Sequence, residues 1–247
     1  MSSQFDELAA LYNNMAEWPF RKYCEIPSVL SVLGDVSNLA LFDFGCGNGL
    51  YSRILKQHGA KRVVGYDQSI GMYDYARRRE EKEKLGIEYT SSIMPHHRHS
   101  FDVVISVYVL PYAPSLHALD SMCAEMTSLL KPGGRLITLP IHPDFCPTPS
   151  FYEEYGFRLI PTETEGSQDA SIVTLDLCHP PYDIQVQAYY WSASSLEASL
   201  RKASATTIRW HEHHITTSGM EILGEAFWKN YISYPHAAII DCTIDSK

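Results

Sequence analysis

The stretch Leu41-Phe-Asp-Phe-Gly-Cys-Gly-Asn-Gly-Leu50 constrains the fold more than any other part of the chain. Apolar residues from Leu39 to Phe42 run into Asp43, and Gly45-Cys46-Gly47-Asn48-Gly49 forms a turn. Tyr51 to His58 then carries apolar residues at helical spacing. Strand, glycine turn, helix is how a parallel α/β sheet brings a nucleotide-like ligand to its carboxyl edge. Glycines let the backbone approach such a ligand with no Cβ in the way, and the helix start offers unpaired N–H groups. The Gly45-x-Gly47-x-Gly49 spacing differs from the Gly-x-Gly-x-x-Gly of dinucleotide oxidoreductases, which disfavours a nicotinamide dehydrogenase.

A second strand, Arg62 to Tyr66, ends at Asp67, 24 positions after Asp43. A carboxylate there can accept both hydroxyls of a ribose. Asp43-x-Gly-x-Gly-x-Gly followed by this acid resembles the cofactor site of the class I S-adenosylmethionine-dependent methyltransferases. So does Leu129-Leu-Lys-Pro-Gly-Gly134 entering the apolar strand Arg135–Leu139. The resemblance implies an α/β, Rossmann-like, doubly wound seven-stranded mixed sheet. N-terminal lid helices and a small antiparallel insertion near the active site are implied with it.

The length of 247 residues suits one such domain. It divides into lid helices over 1–35, a cofactor-binding core over 36–150, and a substrate-side insertion with the final strands over 151–247. Further strands are expected at Ile87–Ser92 and Phe101–Leu110, with helices at Met72–Lys84 and Leu116–Leu130. Beyond the proline-rich loop from Pro140 to Pro149, strands are expected over Phe157–Pro161, Ser171–Leu177, Ile184–Trp191, Thr206–Ile215 and Ala237–Ile244. Helices are expected over Ser192–Ala203 and Met220–Tyr231. Two of those strands would complete the main sheet, the others forming a hairpin at the mouth of the site.

Composition excludes several classes. A formal net charge of −9 lacks the basic face a general nucleic-acid binder needs. Arg77-Arg-Arg79 runs straight into Glu80-Glu81 and reads as a solvated helix face. Six cysteines without a C-x-x-C pair, no signal-like leader and no long apolar run point to a reduced cytoplasmic protein. A small-molecule substrate, no membrane or nucleic-acid partner, and a monomer or homodimer are expected.

The resemblance carries roles to particular residues. Asp43 would lie near the cofactor's ammonium, Gly45, Cys46, Gly47 and Gly49 along its amino-acid and ribose portions, and Asp67 on the ribose hydroxyls. Gln68 and Met72 would flank adenine, with Ile93 on its other face. Ser92 stands where the family usually places an acid that reads the adenine amino group. Phe5-Asp-Glu-Leu-Ala-Ala-Leu-Tyr12 resembles the family's lid pattern and would bring Tyr12 onto the cofactor. Cys46 is there for its size rather than as a nucleophile.

Aromatic walls suit a flat heterocycle, so Trp18, Tyr112, Tyr190 and Trp191 are candidate substrate contacts; each has an alternative as plain core. His142 and Tyr108 are the candidate catalytic groups, the former because a neutral imidazole accepts a proton near pH 7. The clusters His96-His97-x-His99 and His211-x-His213-His214 have no acid-rich motif or Cys partner beside them, and methyl transfer needs no metal, so no metal is expected.

A narrower resemblance rests on Phe5–Ala9, Arg21–Leu30, Tyr189-Tyr-Trp-Ser192, Leu196-x-x-x-Leu200, Arg209-Trp210 and Glu225–Tyr231. The chain is similar there to the toxoflavin-synthase type, small-molecule methyltransferases that act on ring nitrogens of a flat azapteridine. A methyltransferase of secondary metabolism, acting at nitrogen before oxygen, is therefore expected, with S-adenosylhomocysteine as product. The rivals are a cyclase or isomerase that keeps the fold and cofactor without methylating, and a non-catalytic partner subunit.

Overall fold

The computed structural model describes residues 14–162, 168–177 and 184–245. The expected lid helix over Phe5–Met15, with Tyr12, lies mostly outside them. The described chain opens with a π-turn at Arg21–Glu25 that runs into α1 (Ile26–Leu33). Next come β1 (Ala40–Phe44), α2 (Leu50–Gln57), β2 (Arg62–Tyr66), α3 (Ile70–Glu83), β3 (Glu88–Thr90), β4 (Phe101–Val107), α4 (Leu116–Ser128) and β5 (Leu130–Leu139). The last third comprises β6 (Phe157–Pro161), β7 (Ile172–Leu177), β8 (Ile184–Tyr189), α5 (Ala193–Lys202), β9 (Ala205–His211), α6 (Thr217–Ser233) and β10 (Ile239–Ile244).

The main sheet has seven strands in the order β3-β2-β1-β4-β5-β10-β9. Strands β1 to β5 are parallel, and β10 runs antiparallel to both β5 and β9. Order reverses between β1 and β4, which opens the crevice beyond their carboxyl ends where ligands of open α/β sheets bind. The sheet is covered on both faces, as its near-continuous apolar strands require. One face packs Phe42, Val104, Leu136 and Ile240 against α4 and α5; the other packs Leu41, Ile105 and Ile137 against α1 and α2.

Several boundaries depart from expectation for local reasons. Strand β4 stops at Val107 because Tyr108 takes φ +59°, and Leu110–Tyr112 turns as a 3₁₀ helix. Helix α4 ends at Ser128, since Leu130 already pairs with Phe101 and begins β5 ahead of the Lys131-Pro-Gly-Gly134 turn. The expected hairpin is a separate three-stranded antiparallel sheet, β6-β7-β8. Strand β9 ends at His211, so His211 and His213 do not share a strand face. The former lies 3.8 Å from Asp241 and the latter meets the Ala237 carbonyl at 2.8 Å. Among the described residues, no helix is long and apolar enough to cross a membrane.

A third core joins the small sheet, α6 and the segment before the π-turn. Tyr152 stacks on Phe157 with centroids 5.3 Å apart, and Phe20 meets Phe157 edge-on at 5.2 Å. This aromatic layer fixes the small sheet over the carboxyl edge of the large one. Phe101 lies far from that edge, at the start of β4, fully buried and edge-on to Phe42 at 4.9 Å. Phe101→Ala should therefore cost about 3–5 kcal/mol of stability, read by urea unfolding, while leaving ligand affinity of the folded protein unchanged.

Candidate active site

The turn after β1 is held from the neighbouring strand. The N–H groups of Gly45 and Cys46 both donate to the Tyr66 carbonyl at 2.8 Å. At the tip of β2, Asp67 Oδ2 accepts the Gly47 N–H at 2.7 Å and Oδ1 accepts that of Ser69 at 2.8 Å. Gly45 has φ +73°, and a Cβ on it would stand 2.3 Å from Val109 Cγ2. Gly47, at φ +56°, has open space where a Cβ would be. The turn is thus pinned on one side and bare on the other.

The bare side faces a cavity of about 210 Å³ lined by Asp43, Gly45, Cys46, Gly47, Asp67, Gln68 and Met72. Asp43 is buried and accepts the Ser52 hydroxyl at 2.6 Å. Burial pushes its carboxyl up to about 7, against the pull of that hydrogen bond. Burial likewise raises the Cys46 thiol well above its ordinary value, which leaves it protonated. These groups fit an aminoacyl nucleoside: a buried carboxyl for an ammonium, bare backbone beside it, and a second carboxylate at the next strand tip.

The opposite wall is built from four polar aromatic and basic side chains: Arg21, Tyr51, Tyr108 and Tyr112. Arg21, Tyr108 and Tyr112 also border a smaller apolar chamber of about 50 Å³. Phe20, Ile141, Phe157, Leu175 and His236 complete much of its wall, so the small sheet forms its roof. The two spaces meet along Arg21, Tyr108 and Tyr112.

Behind Tyr108 lies a buried polar network. Glu25 is fully buried; its Oε1 accepts Arg21 Nε–H at 3.0 Å and the Tyr51 hydroxyl at 3.1 Å. The Tyr108 hydroxyl donates to Glu25 Oε2. His236 Nε2 sits 2.8 Å from the Tyr108 oxygen, and its Nδ1 sits 2.9 Å from the Tyr231 hydroxyl. Burial drives His236 well below its ordinary value, so the ring is neutral. A neutral ring with the hydrogen on Nε2 satisfies every group: Tyr231 donates to Nδ1, Nε2 donates to Tyr108, and Tyr108 donates to Glu25.

Of the residues singled out by sequence, Asp43, Gly45, Cys46, Gly47, Asp67, Gln68, Met72, Tyr108 and Tyr112 line the larger cavity. Gly49 instead starts α2 at φ +78°. Ser92 is exposed and Ile93 packs against the core, neither at the cavity. Strand β3 ends early at Thr90, whose hydroxyl caps the Ser92 carbonyl at 2.7 Å and curls the chain aside.

Trp18 and Trp191 are core residues, 6% and 3% exposed; the Trp191 indole donates to the Ala113 carbonyl at 3.2 Å. Tyr190 packs against Phe145. His142 borders neither space; its Nδ1 accepts the Asp144 N–H at 3.0 Å, and burial lowers its pKa. Glu88, His96 and His97 bring one ligand atom each within 4.8 Å of one another. His97 Nδ1 accepts the Met94 N–H at 3.1 Å, so its hydrogen is on Nε2, 3.5 Å from Glu88, where a metal would need a lone pair.

Sequence reasoning missed Arg21, Glu25, Tyr51 and His236. An Arg and a Glu four apart in an apolar helical segment, just before a proline, was the available signal for the first two. Asp43 yields a test that needs no ligand. Its carboxyl is near 3.8 when unfolded and about 7 when folded, so stability falls as pH rises through that window. Asp43→Asn should stabilise the unliganded protein by about 2–4 kcal/mol at pH 8 and by almost nothing at pH 3.5, measured by urea unfolding.

Comparison with known proteins agrees with this geometry. Residues 42–138 match the family model described as a methyltransferase domain. A ubiquinone biosynthesis O-methyltransferase of Coxiella burnetii is 33% identical over 178 residues, which cover 69% of this chain and 67% of that relative. The chain spans about half (53%) of other Coxiella burnetii proteins of the same name. An S-adenosylmethionine dependent methyltransferase from Mesorhizobium loti superposes with TM-score 0.63 at 18% identity, over 93% of this chain and 99% of that one. The cyclase SpnF superposes with TM-score 0.62 at 16% identity, over 100% of this chain and 98% of that one. At those identities the two structures bear on the fold alone. Glycine turn, paired carboxylates, sheet order and relatives agree: the chain belongs to the class I S-adenosylmethionine-dependent methyltransferases.

Proposed function

We propose that this methyltransferase acts on a small, flat aromatic or heteroaromatic acceptor, at a ring nitrogen or a ring hydroxyl. The observation that carries the reading is the apolar chamber under the small sheet, which meets the cofactor cavity at Tyr108. Its walls of Phe20, Phe157, Ile141 and Leu175 offer ring faces and aliphatic edges and hold no formal charge. Such walls select flat apolar bodies. Arg21, Tyr108 and Tyr112 at its mouth supply the few polar contacts that would orient a heteroatom. The resemblance to the toxoflavin-synthase type supports nitrogen and secondary metabolism, and the name of the Coxiella relatives supports oxygen.

S-adenosylmethionine supplies an electrophilic methyl on a sulfonium whose leaving group departs neutral. The chain's part is alignment and exclusion of water. Cys46, Gly47, Asp43 and Asp67 would hold the cofactor from the β1–β2 side, with Gln68 and Met72 at its adenine end. Tyr108 and Arg21 would hold the acceptor from the other. A second reading, a cyclase on the same fold, draws on the SpnF likeness. The two separate on product mass: incubation with S-adenosylmethionine and a panel of flat hydroxy- and aza-aromatics should yield a product heavier by one methyl. A product isomeric with its substrate would favour the cyclase.

The cofactor contacts predict two calorimetric results with S-adenosylhomocysteine. Asp67→Ala should weaken binding at least about tenfold, the loss of one charge-assisted pair of hydrogen bonds. An ammonium needs Asp43 ionised, and Asp43 titrates at about 7 when the site is empty. Affinity should therefore fall about tenfold per pH unit below 7, and Asp43→Asn should remove that dependence along with most of the affinity.

A further inference from the structure

The cofactor and acceptor spaces share Arg21, Tyr108 and Tyr112, and of these Tyr108 is strained. Tyr108 follows β4 with φ +59°, a left-handed conformation that bulky side chains rarely adopt. Strain of this kind persists only where the surroundings over-determine it. Here they do: Glu25 takes the hydroxyl hydrogen, His236 Nε2 lies 2.8 Å from the oxygen, and Arg21 lies over the ring at 5.7 Å from its centroid. The π-turn that carries Arg21 and Glu25 is also an uncommon feature, and such turns cluster at functional sites.

Glu25 lies in neither cavity's wall and is fully buried. It is faced by Arg21 from its own turn, by Tyr51 from α2, and by Tyr108 from the end of β4. His236 stands one hydrogen bond farther off, and His213 acts on it only through charge. Of these three partners, Tyr108 alone borders both cavities and has a hydroxyl; Arg21 borders both but cannot accept a proton. The Tyr108 oxygen has two lone pairs. One meets His236 Nε2–H, and that network leaves the other without an assigned donor.

We propose that Glu25 is the terminal proton acceptor of the reaction and that Tyr108 relays the proton to it. The inference rests on the methyltransferase acting on a proton-bearing heteroatom, as proposed above. As the bond from that heteroatom to the methyl carbon forms and the methyl–sulfur bond breaks, the acceptor's proton passes to the Tyr108 oxygen. The hydrogen already on Tyr108 passes at the same time to Glu25 Oε2. The sulfonium's positive charge and the Glu25 negative charge disappear together, and the Tyr108 phenol is restored. Burial and the neighbouring Glu25 hold the Tyr108 hydroxyl well above its ordinary range, so it serves as a relay and never rests as a phenolate.

Glu25→Gln and Tyr108→Phe test this with two probes, catechol, whose hydroxyl must lose a proton, and quinoline, whose ring nitrogen carries none. Calorimetry with S-adenosylhomocysteine reports folding of both variants, and Glu25→Gln, whose side chain lies outside both walls, should retain that binding. On catechol near pH 7, kcat should fall about 10²–10³-fold in each, the usual range for losing a general base. On quinoline, which has no proton to give up, the loss in each variant should be at least about tenfold smaller than on catechol, since only positioning by the side chain is affected. Glu25→Gln should regain catechol turnover as pH rises from 7 to 9 and catechol ionises in solution, while the unaltered protein stays nearly flat. Equal losses on both probes, or a Glu25→Gln rate on catechol equal to the unaltered one, would overturn the relay. An unaltered protein that binds S-adenosylhomocysteine yet methylates neither probe would instead overturn the reading of the chamber as a site for small flat acceptors.

Discussion

The site depends first on a short bridge between two strands. The Tyr66 carbonyl holds two N–H groups of the glycine turn, and Asp67 holds a third. Each of these is a backbone donor that would otherwise face an apolar crevice, where leaving it unmade costs about 1–3 kcal/mol. The bridge lets the turn stay bare on its ligand side without collapsing onto it. It also means that Asp67 is both a strut of the turn and a carboxylate in the cavity wall.

A second constraint sets the character of the opposite wall. A carboxylate buried as completely as Glu25 is costly unless its oxygens are saturated, and three donors from three different elements do this. The π-turn, α2 and the end of β4 are thereby fixed relative to one another. That arrangement positions Tyr108 at the meeting of two spaces and forces its backbone into the left-handed region. Packing alone would not have required it, because a glycine or asparagine satisfies that conformation at lower cost.

Much of the cofactor half was legible in the sequence because it is local. Asp43, the glycine turn and Asp67 lie on consecutive strands, and strand periodicity places such residues at one edge of the sheet. Ser92 and Ile93 escaped that logic, since β3 is three residues long and a single Thr90 hydroxyl turns the chain away beyond it. The acceptor half was less legible because it is assembled from distant segments. Trp191 reads as a plausible aromatic wall until its indole is seen on the Ala113 carbonyl inside the core. His142, in the proline-rich loop after β5, was singled out in sequence for its imidazole, whereas His236, between the expected final helix and strand, was not. Only the contact with Tyr108, 128 positions away, distinguishes it.

The reversed strand β10 explains how so late a residue arrives there. Because β10 runs against its neighbours, its beginning, not its end, lies at the edge where ligands bind. His236 stands three residues ahead of it and so reaches a crevice whose turn was laid down nearly two hundred positions earlier. The last described strand inserts between β5 and β9, so one element both completes the sheet and brings His236 to the Tyr108 oxygen. During synthesis the cofactor crevice is encoded well before the chemistry beside it. A chain halted before β10 would carry the glycine turn, an open sheet edge and no His236 beside Tyr108. Such a product would present unpaired edges at β5 and β9 in place of the polar network that closes behind Tyr108.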